Sequence, residues 1–270
     1  MSGPGQLHQH EDHWITEMGA FFPAEGRVVF RGRDLHRDCK DMPWMGLLLY
    51  GITGREFDEN QIKLFEGIWT ICTSYPDPRI WNNRVAALAG TARSTASLAI
   101  SAANAVSEAS IYGHRPIIGA IDFLLSMKEA SENGADIARI IKARLIKDRI
   151  IPGYGRPMIR EDERIKPMLA LLEKLGFPKG AYVELAFEIE DILLRNRYRL
   201  RINIAALLAA IAADQGLSTR EYHHFMLLSF SSGMLPCYIA AMEQPGRAFF
   251  PLRCNRIKYA GNHSRAWAAS

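Results

Sequence analysis

Residues 201–213 read RINIAALLAAIAA, and the last ten of them form the longest apolar run in the chain. Alanine, leucine and isoleucine at this density favour a helix, and a helix that is apolar on every side has to be buried. The run is too short to cross a membrane, for which about 20 residues are needed. We therefore predict a nearly all-apolar helix over residues 204–213 and no membrane span.

Apolar residues recur at intervals of three and four on both sides of this run, which is the spacing of amphipathic helices. The predicted helices are residues 42–50 (ending at Gly51), 58–71 (capped by Asp58), 84–106, 116–128, 134–147, 165–175, 182–194 and one or two within 219–243. The small residues of 84–106 predict one tightly packed, buried helix. Only residues 27–30 look extended, so the predicted fold class is mainly α, with about nine helices and no internal repeat.

The composition is that of a globular protein, since 48% of the 270 residues are hydrophobic and 23% are charged. These values exclude disordered, collagen-like and disulfide-framework proteins. The net charge of +4 is too small to argue for nucleic acid, and it suits an anionic small molecule equally well. The cysteines are far apart, which favours free thiols: Cys39, Cys72, Cys237 and Cys254. No signal peptide is recognisable, so we expect a cytoplasmic location.

Residues 1–25 show no regular periodicity and are predicted to form a mobile N-terminal segment. His8, His10 and His13 lie in this segment, and imidazole is a common metal ligand. No second group of ligands supports such a site, however. We therefore interpret the segment as a solvated polar tail and predict no metal site.

Residues 150–157 (IIPGYGRP) carry two glycines and two prolines, which predicts a loop of defined shape. Residues 195–201 (RNRYRLR) are basic, and arginines facing a carboxylate or phosphate ligand are a better interpretation than a nucleic-acid patch. His223 and His224 are neighbours on a predicted helix and point about 100° apart, which favours structural or surface roles. No phosphate-loop, dinucleotide, serine-hydrolase or HExxH motif is present.

Six stretches occur in the order and spacing of one protein family. They are residues 28–57, with RG and LLLYG; residues 84–113, rich in small residues; residues 153–156 (GYGR), similar to G-[FY]-G-H; residues 162–164 (DER), similar to D-P-R; residues 201–203 (RIN), at the place of N-V-D; and residues 256–261 (RIKYAG), similar to R-x-x-Y-x-G. Together they resemble the citrate synthase superfamily. The compact length is similar to the citryl-CoA lyase module of ATP-citrate lyase and its free-standing relatives.

The resemblance implies a citrate-synthase-like helical fold over residues 26–270. It implies a large domain (residues 26–114 and 236–270), a smaller helical domain (about 115–235), a cleft between them and a homodimer. The implied ligands are a small-molecule carboxylate and a CoA thioester, both as substrates and with no bound cofactor. Neither nucleic acid nor a membrane is an expected partner.

The family positions for proton transfer hold other residue types here. Asn203 stands at the aspartate of N-V-D, and an amide cannot accept a proton at neutral pH. Arg156 stands at the histidine of G-[FY]-G-H, where it can polarise an oxygen but cannot shuttle a proton. The substrate arginines fit better: Arg164 matches the arginine of D-P-R, and Arg256 matches an arginine that the family donates from the partner subunit.

The family's first histidine loop reads SIYGH over residues 110–114. The family histidine aligns with Ile111, and His114 follows three residues later. Candidate replacements for the lost groups are Arg156 as oxyanion donor, His114 or Tyr112 as proton donor, and Glu108 or Asp162 as base. These side chains are charged or titratable and lie in the corresponding loops.

Three functions stay open from the sequence. The first is an enzyme acting on carbon–carbon bonds of a carboxylated acyl-CoA through a non-canonical active site, by citryl-CoA cleavage or by condensation of acetyl-CoA with an oxo acid. The second is a non-catalytic paralogue that binds a CoA ester or a carboxylate. The third is a helical interaction protein. The sequence fixes neither the acyl group nor the direction of reaction.

Overall fold

A computed structural model of the chain describes residues 4–111, 113–156, 161–248 and 254–262. These residues are mainly α-helical, which confirms the predicted fold class. They divide into two compact units: unit 1 contains Met1–Thr73 and Ser107–Phe230, and unit 2 contains Ser74–Val106 and Ser231–Ser270. The predicted domains have other boundaries, since they joined residues 26–73 to the C-terminal segment. That division stays a prediction, as does the mobility of residues 1–25.

The helices are α1 (Pro4–Gln9), α2 (Trp44–Thr53), α3 (Glu59–Cys72), α4 (Trp81–Thr91), α5 (Ala96–Ser107), α6 (His114–Glu132), α7 (Ile137–Asp148), α8 (Ile165–Lys174), α9 (Ala181–Arg195), α10 (Ile204–Asp214), α11 (Thr219–Met226) and α12 (Ser231–Glu243). Helix α10 is the apolar run predicted from the sequence. Every residue of α10 except Ala205 and Asp214 is buried, and its neighbours in unit 1 are α6 and α9. Its alanines let these helices approach closely, and each buried leucine or isoleucine contributes about 1.5–3 kcal/mol.

A three-stranded antiparallel sheet lies at the N-terminal end of unit 1. Its strands are β1 (Gly19–Phe22), β2 (Arg27–Phe30) and β3 (Arg33–Asp34), in the order β1-β2-β3. Strand β2 is the extended segment predicted from the sequence. Strand β1 and helix α1 lie in the segment for which no regular structure was predicted, because elements of four to six residues are too short to show a periodicity.

The ends of α2 and α3 follow local sequence signals. Helix α3 begins with a capping box in which the Asp58 carboxylate accepts from the Gln61 backbone N–H, as the sequence predicted. The predicted end of α2 at Gly51 is wrong, because the helix continues to Thr53 and ends at Gly54 in the left-handed conformation. Gly51 serves packing instead: a Cβ there would lie 2.9 Å from Cζ of Phe30.

Unit 2 contains the segment that was predicted to be one buried helix over residues 84–106. This prediction is wrong, because the segment forms α4 and α5, separated at Arg93, which has a φ of 61°. The Arg93 guanidinium donates to the carbonyl oxygens of Met242 and Gln244, both at 2.6 Å, and these bonds hold the break. Helix α4 packs on α12, whereas half of the α5 residues are exposed, among them Leu98.

Thiols and hydropathy bear on two further predictions. Cys39, Cys72 and Cys237 are free and buried, and the side chain of Cys254 lies outside the description.

Among the described residues, the segment Thr219–Glu243 is long and apolar enough to cross a membrane by length and composition, although the sequence predicted no span. Its most apolar window is 39% buried, and buried core helices meet the same criterion, so the finding is weak and the absence of a membrane partner stays a prediction.

Candidate active site

The loop at residues 153–155 is joined to residues 201–203 by backbone hydrogen bonds. Gly155 N–H donates to the Arg201 carbonyl at 2.7 Å, and Asn203 N–H donates to the Gly153 carbonyl at 2.9 Å. Gly153 has a φ of 83°, and a Cβ on it would lie 2.5 Å from that of Ala206, so only glycine fits there. The loop of defined shape predicted from the sequence is therefore tied to the start of α10.

Asn203 is the N-cap of α10 and uses both ends of its amide. The side-chain oxygen accepts from Ala205 N–H at 2.9 Å, and the side-chain nitrogen donates to the Gly155 carbonyl at 2.8 Å. A carboxylate could make the first bond but has no proton to donate in the second. Asn203 therefore links the loop to the helix, and its amide supplies no base, as the sequence indicated.

Asp162 has a fully buried side chain that accepts hydrogen bonds from several donors. Arg164 donates from Nε to Oδ1 and from Nη2 to Oδ2, both at 2.8 Å, and Ile204 N–H at the start of α10 donates to Oδ2 at 3.0 Å. Burial by itself raises the pKa of Asp162, but the Arg164 guanidinium and these N–H donors outweigh it and lower the pKa below the ordinary value. Asp162 is thus an ionised anchor for the helix and is poorly suited to act as a base.

Arg156 lies on the other side of the same carboxylate. Its Nη1 is 3.4 Å from Asp162 Oδ1, and it also forms an ion pair with Glu163. The two arginines predicted to bind substrate or polarise an oxygen therefore converge, and a carboxylate of the chain itself lies between them. Glu163 is 62% exposed, so an incoming carboxylate can replace it as the partner of Arg156 at little cost.

A groove of about 470 Å³ lies beside this network in unit 1. Its charged lining residues are Glu161, Asp162, Glu163, Glu190, Lys166 and Arg201. Four acidic groups against two basic ones do not favour a dicarboxylate inside the groove. None of the predicted residues Arg156, Arg164 and Asn203 lines it.

A second cluster forms where the segment before α6 meets α11. Glu108 Oε1 lies 3.1 Å from Nε2 of His223, to which it is hydrogen-bonded, and 3.2 Å from Nδ1 of His114. His114 is 1% exposed and is the first residue of α6, and its ring packs against that of Phe230 at 4.9 Å between centroids. Ile111, which the resemblance places at the family histidine, is 77% exposed.

Burial and charge act on this cluster in opposite directions. Burial lowers the pKa of His114, and the neighbouring Glu108 carboxylate opposes that shift without cancelling it. The hydrogen bond from His223 lowers the pKa of Glu108, with a smaller contribution from the charge of His114. Glu108 is therefore ionised at neutral pH, and His114 is neutral in the folded protein.

The remaining predicted residues are placed as follows. Arg256 is exposed and ends a short 3₁₀ turn (Cys254–Arg256) in unit 2, and its role across a subunit boundary stays a prediction. Tyr112 lies outside the described residues. Within the part of the chain that the structure describes, no group of three or more His, Cys, Asp or Glu side chains is arranged to hold a metal ion.

The family model for the citrate synthase C-terminal domain matches residues 9–249. This stretch covers most of the chain. The chain belongs to the citrate synthase family. No curated protein matches the sequence.

Solved structures of the citrate synthase fold match the chain over most of its length. Citryl-CoA lyase from Hydrogenobacter thermophilus matches with a TM-score of 0.82 and 18% identity, covering 94% of this chain and 97% of that one. ATP citrate lyase from Methanothrix soehngenii, solved with citrate and coenzyme A, matches with a TM-score of 0.75 and 15% identity, covering 97% of this chain but 45% of that one. Citrate synthase from Thermoplasma acidophilum matches with a TM-score of 0.61 and 16% identity, covering 85% of this chain and 60% of that one. At identities of 15–18%, the similarity to these structures shows a shared fold.

The geometry gives two of the predicted site residues a structural role. The amide of Asn203 and the guanidinium of Arg156 are absorbed into a network around Asp162. Sequence reasoning gave His223 a structural or surface role and did not pair it with Glu108. Its partner Glu108 is 115 residues away along the chain, and no local pattern indicates a pair at that separation.

Proposed function

We propose that the protein acts on a carboxylated acyl-CoA and cleaves citryl-CoA into acetyl-CoA and oxaloacetate. The observation that carries this proposal is the reciprocal coverage with a citryl-CoA lyase, 94% of this chain and 97% of that one. The citrate synthase and ATP citrate lyase chains are matched over 60% and 45% of their lengths. A compact chain of lyase length therefore supports the cleavage reaction over the condensation reaction, which uses the same bond in reverse.

Such a reaction makes three physical demands on the chain. Carboxylates of the substrate have to be neutralised, charge on the ketone and enolate oxygens has to be stabilised, and a group has to move one proton. Arg156 suits the first two demands, because it stays charged and can exchange its exposed partner Glu163 for a ligand carboxylate. Arg164 supports it by keeping the Asp162 carboxylate ionised and in place.

The test is an assay of oxaloacetate and acetyl-CoA formation from citryl-CoA by the purified protein, followed by a second assay of the consumption of acetyl-CoA and oxaloacetate. The informative variant is Arg156→Gln, which leaves the Arg164–Asp162 pair intact. The matched control is Arg139→Gln, an exposed position on α7. We expect Arg156→Gln to raise KM and lower kcat, and the control to match the wild type. No turnover of either substrate set by the wild type contradicts the proposal.

The ion pairs that Arg156 and Arg164 form with carboxylates of the chain itself favour a second function. Because Asp162 and Glu163 already pair with Arg156 and Arg164, and the amide of Asn203 supplies no base, a paralogue that binds a CoA ester or a carboxylate without turnover also fits. A bound ligand stabilises the fold by about 2.7 kcal/mol at 100 times its Kd. A thermal shift with CoA, citrate or oxaloacetate and no turnover in either assay supports this alternative. If neither a thermal shift nor turnover is observed, the result supports a helical interaction protein.

A homodimer and a cytoplasmic location complete the proposal. The homodimer rests on the resemblance to the family, together with the exposed apolar side chains of α5 such as Leu98 and Val106. Light scattering of the purified protein measures the subunit number, and a monomer over the micromolar range opposes a dimer. Fractionation of the source cells tests the location.

A further inference from the structure

The cluster of Glu108, His114 and His223 is the feature that the family motifs leave unexplained. One carboxylate oxygen, Oε1 of Glu108, contacts a nitrogen of each histidine, at 3.1 and 3.2 Å. The second oxygen, Oε2, has no hydrogen-bond partner among the residues that the structure describes. Glu108 is 42% exposed and His223 is 30% exposed, whereas His114 is buried. The cluster thus runs from the surface into the interior.

The backbone around the cluster is held in a fixed form. Gly113 has a φ of 149°, and a Cβ on it would collide with the Ser107 carbonyl oxygen. This glycine lets the chain turn back so that Glu108, which precedes the turn, lies beside the first residue of α6. Neither nitrogen of His114 meets the geometry of a hydrogen bond with any residue that the structure describes, although the ring is buried, which is uncommon for a polar side chain.

The other charged groups on the two packed helices do not compete for Glu108. On α11, Glu221 caps its own helix by accepting from Ser218, and it pairs with Arg55. His224 faces His223 ring to ring, with 6.0 Å between centroids. On α6, Arg115 is exposed. The carboxylate–imidazole pair between the segment before α6 and α11 is therefore Glu108 with His223.

We propose that Glu108 is the proton-transfer residue of this protein and that His223 is a positioning residue, which holds the Glu108 carboxylate in place. This inference rests on the proposed function. Asn203 and Ile111 stand where the resemblance places the family's aspartate and histidine, and Glu108 takes over their proton transfer. It also selects Glu108 over Asp162, since Asp162 is buried and fully engaged.

The cleavage needs no co-reactant, because the proton that leaves the substrate returns to one of the products. The Glu108 carboxylate takes the proton of the tertiary hydroxyl of citryl-CoA, and the O–H electron pair forms the ketone of oxaloacetate. The carbon–carbon bond breaks, and its electron pair forms the enolate of the thioester. The protonated Glu108 then returns its proton to the enolate carbon, which gives acetyl-CoA and an ionised carboxylate.

The experiment compares Glu108→Gln, His223→Ala and the neighbouring control His224→Ala in the citryl-CoA assay. We expect Glu108→Gln to lose at least about 100-fold in kcat. His223→Ala removes the bond that keeps the Glu108 pKa low, so the acidic limb of its kcat/KM profile moves to higher pH. His224→Ala keeps the wild-type profile. Circular dichroism shows which variants fold, and Glu108→Asp is the conservative second variant.

Two outcomes separate this inference from the proposed function. If the wild type turns over citryl-CoA and Glu108→Gln retains its rate, the assignment of Glu108 is wrong while the function stands. If the wild type is inactive, both fail. Histidine NMR titration adds a readout that does not need turnover: Glu108→Gln lowers the pKa of His114, because the carboxylate raises it, and an unchanged titration overturns the cluster.

Discussion

Replacing Asp162 by Asn tests the network that ties the GYGR loop to α10. The substitution keeps an oxygen for Ile204 N–H but removes the charge that pairs with both nitrogens of Arg164. Breaking a buried ion pair costs about 3–5 kcal/mol, and because the Arg164 side chain is 30% exposed we expect the lower end, about 3 kcal/mol. A loss of that size lowers Tm by roughly 6–12 °C.

The assay is urea unfolding followed by circular dichroism, with Glu163→Gln as the matched control. Glu163 is the next residue and also pairs with Arg156, but it lies at the surface, so its loss costs about 0–1 kcal/mol. The pKa of Asp162 is lowered in the folded protein, so its stabilisation is present above the ordinary value of 3.8 and disappears as the pH falls through the lower, folded value. If the two variants are equally stable near neutral pH, the reasoning is refuted.

Three further predictions concern single residues. Asn203→Asp replaces the nitrogen that donates to a carbonyl by an oxygen, so urea unfolding detects a loss of about 1–3 kcal/mol, and a gain in stability opposes the assigned role. Gly113→Ala collides with backbone and costs at least about 2 kcal/mol, whereas Gly134→Ala, also at positive φ but in open space, costs less; equal losses contradict the close approach. Because the pKa of His114 lies below its ordinary 6.5 in the folded state, the unfolded chain binds the proton first and stability falls as the pH drops below 6.5. His114→Gln removes this dependence, measured as urea midpoints at about pH 7.5 and about pH 5.5; an unchanged dependence shows that another group causes it.

Most of the helical framework follows from local sequence signals. The apolar run of α10 and the capping residue Asp58 act within one or two turns, and both are read correctly. Gly51 was misread because its role depends on Phe30, a distant ring that occupies the space of its missing side chain. The break at Arg93 was missed for the same reason, since its hydrogen-bond acceptors are about 150 residues away.

The candidate site was predictable to a smaller extent. The resemblance placed Arg156, Arg164 and Asn203 near each other, and the structure brings them into one network. It did not indicate that Asp162 would fill the space between the arginines, because burial and ionisation are decided by tertiary packing. His223 could not be assigned from the sequence, because its partner is set by the contact between α6 and α11.

The measurement that tests the central claim most directly is oxaloacetate formation from citryl-CoA by the purified wild type beside Glu108→Gln. The account predicts turnover by the wild type and a loss of at least about 100-fold in the variant. A wild type that forms no oxaloacetate, or a variant that forms it at the same rate, contradicts the account.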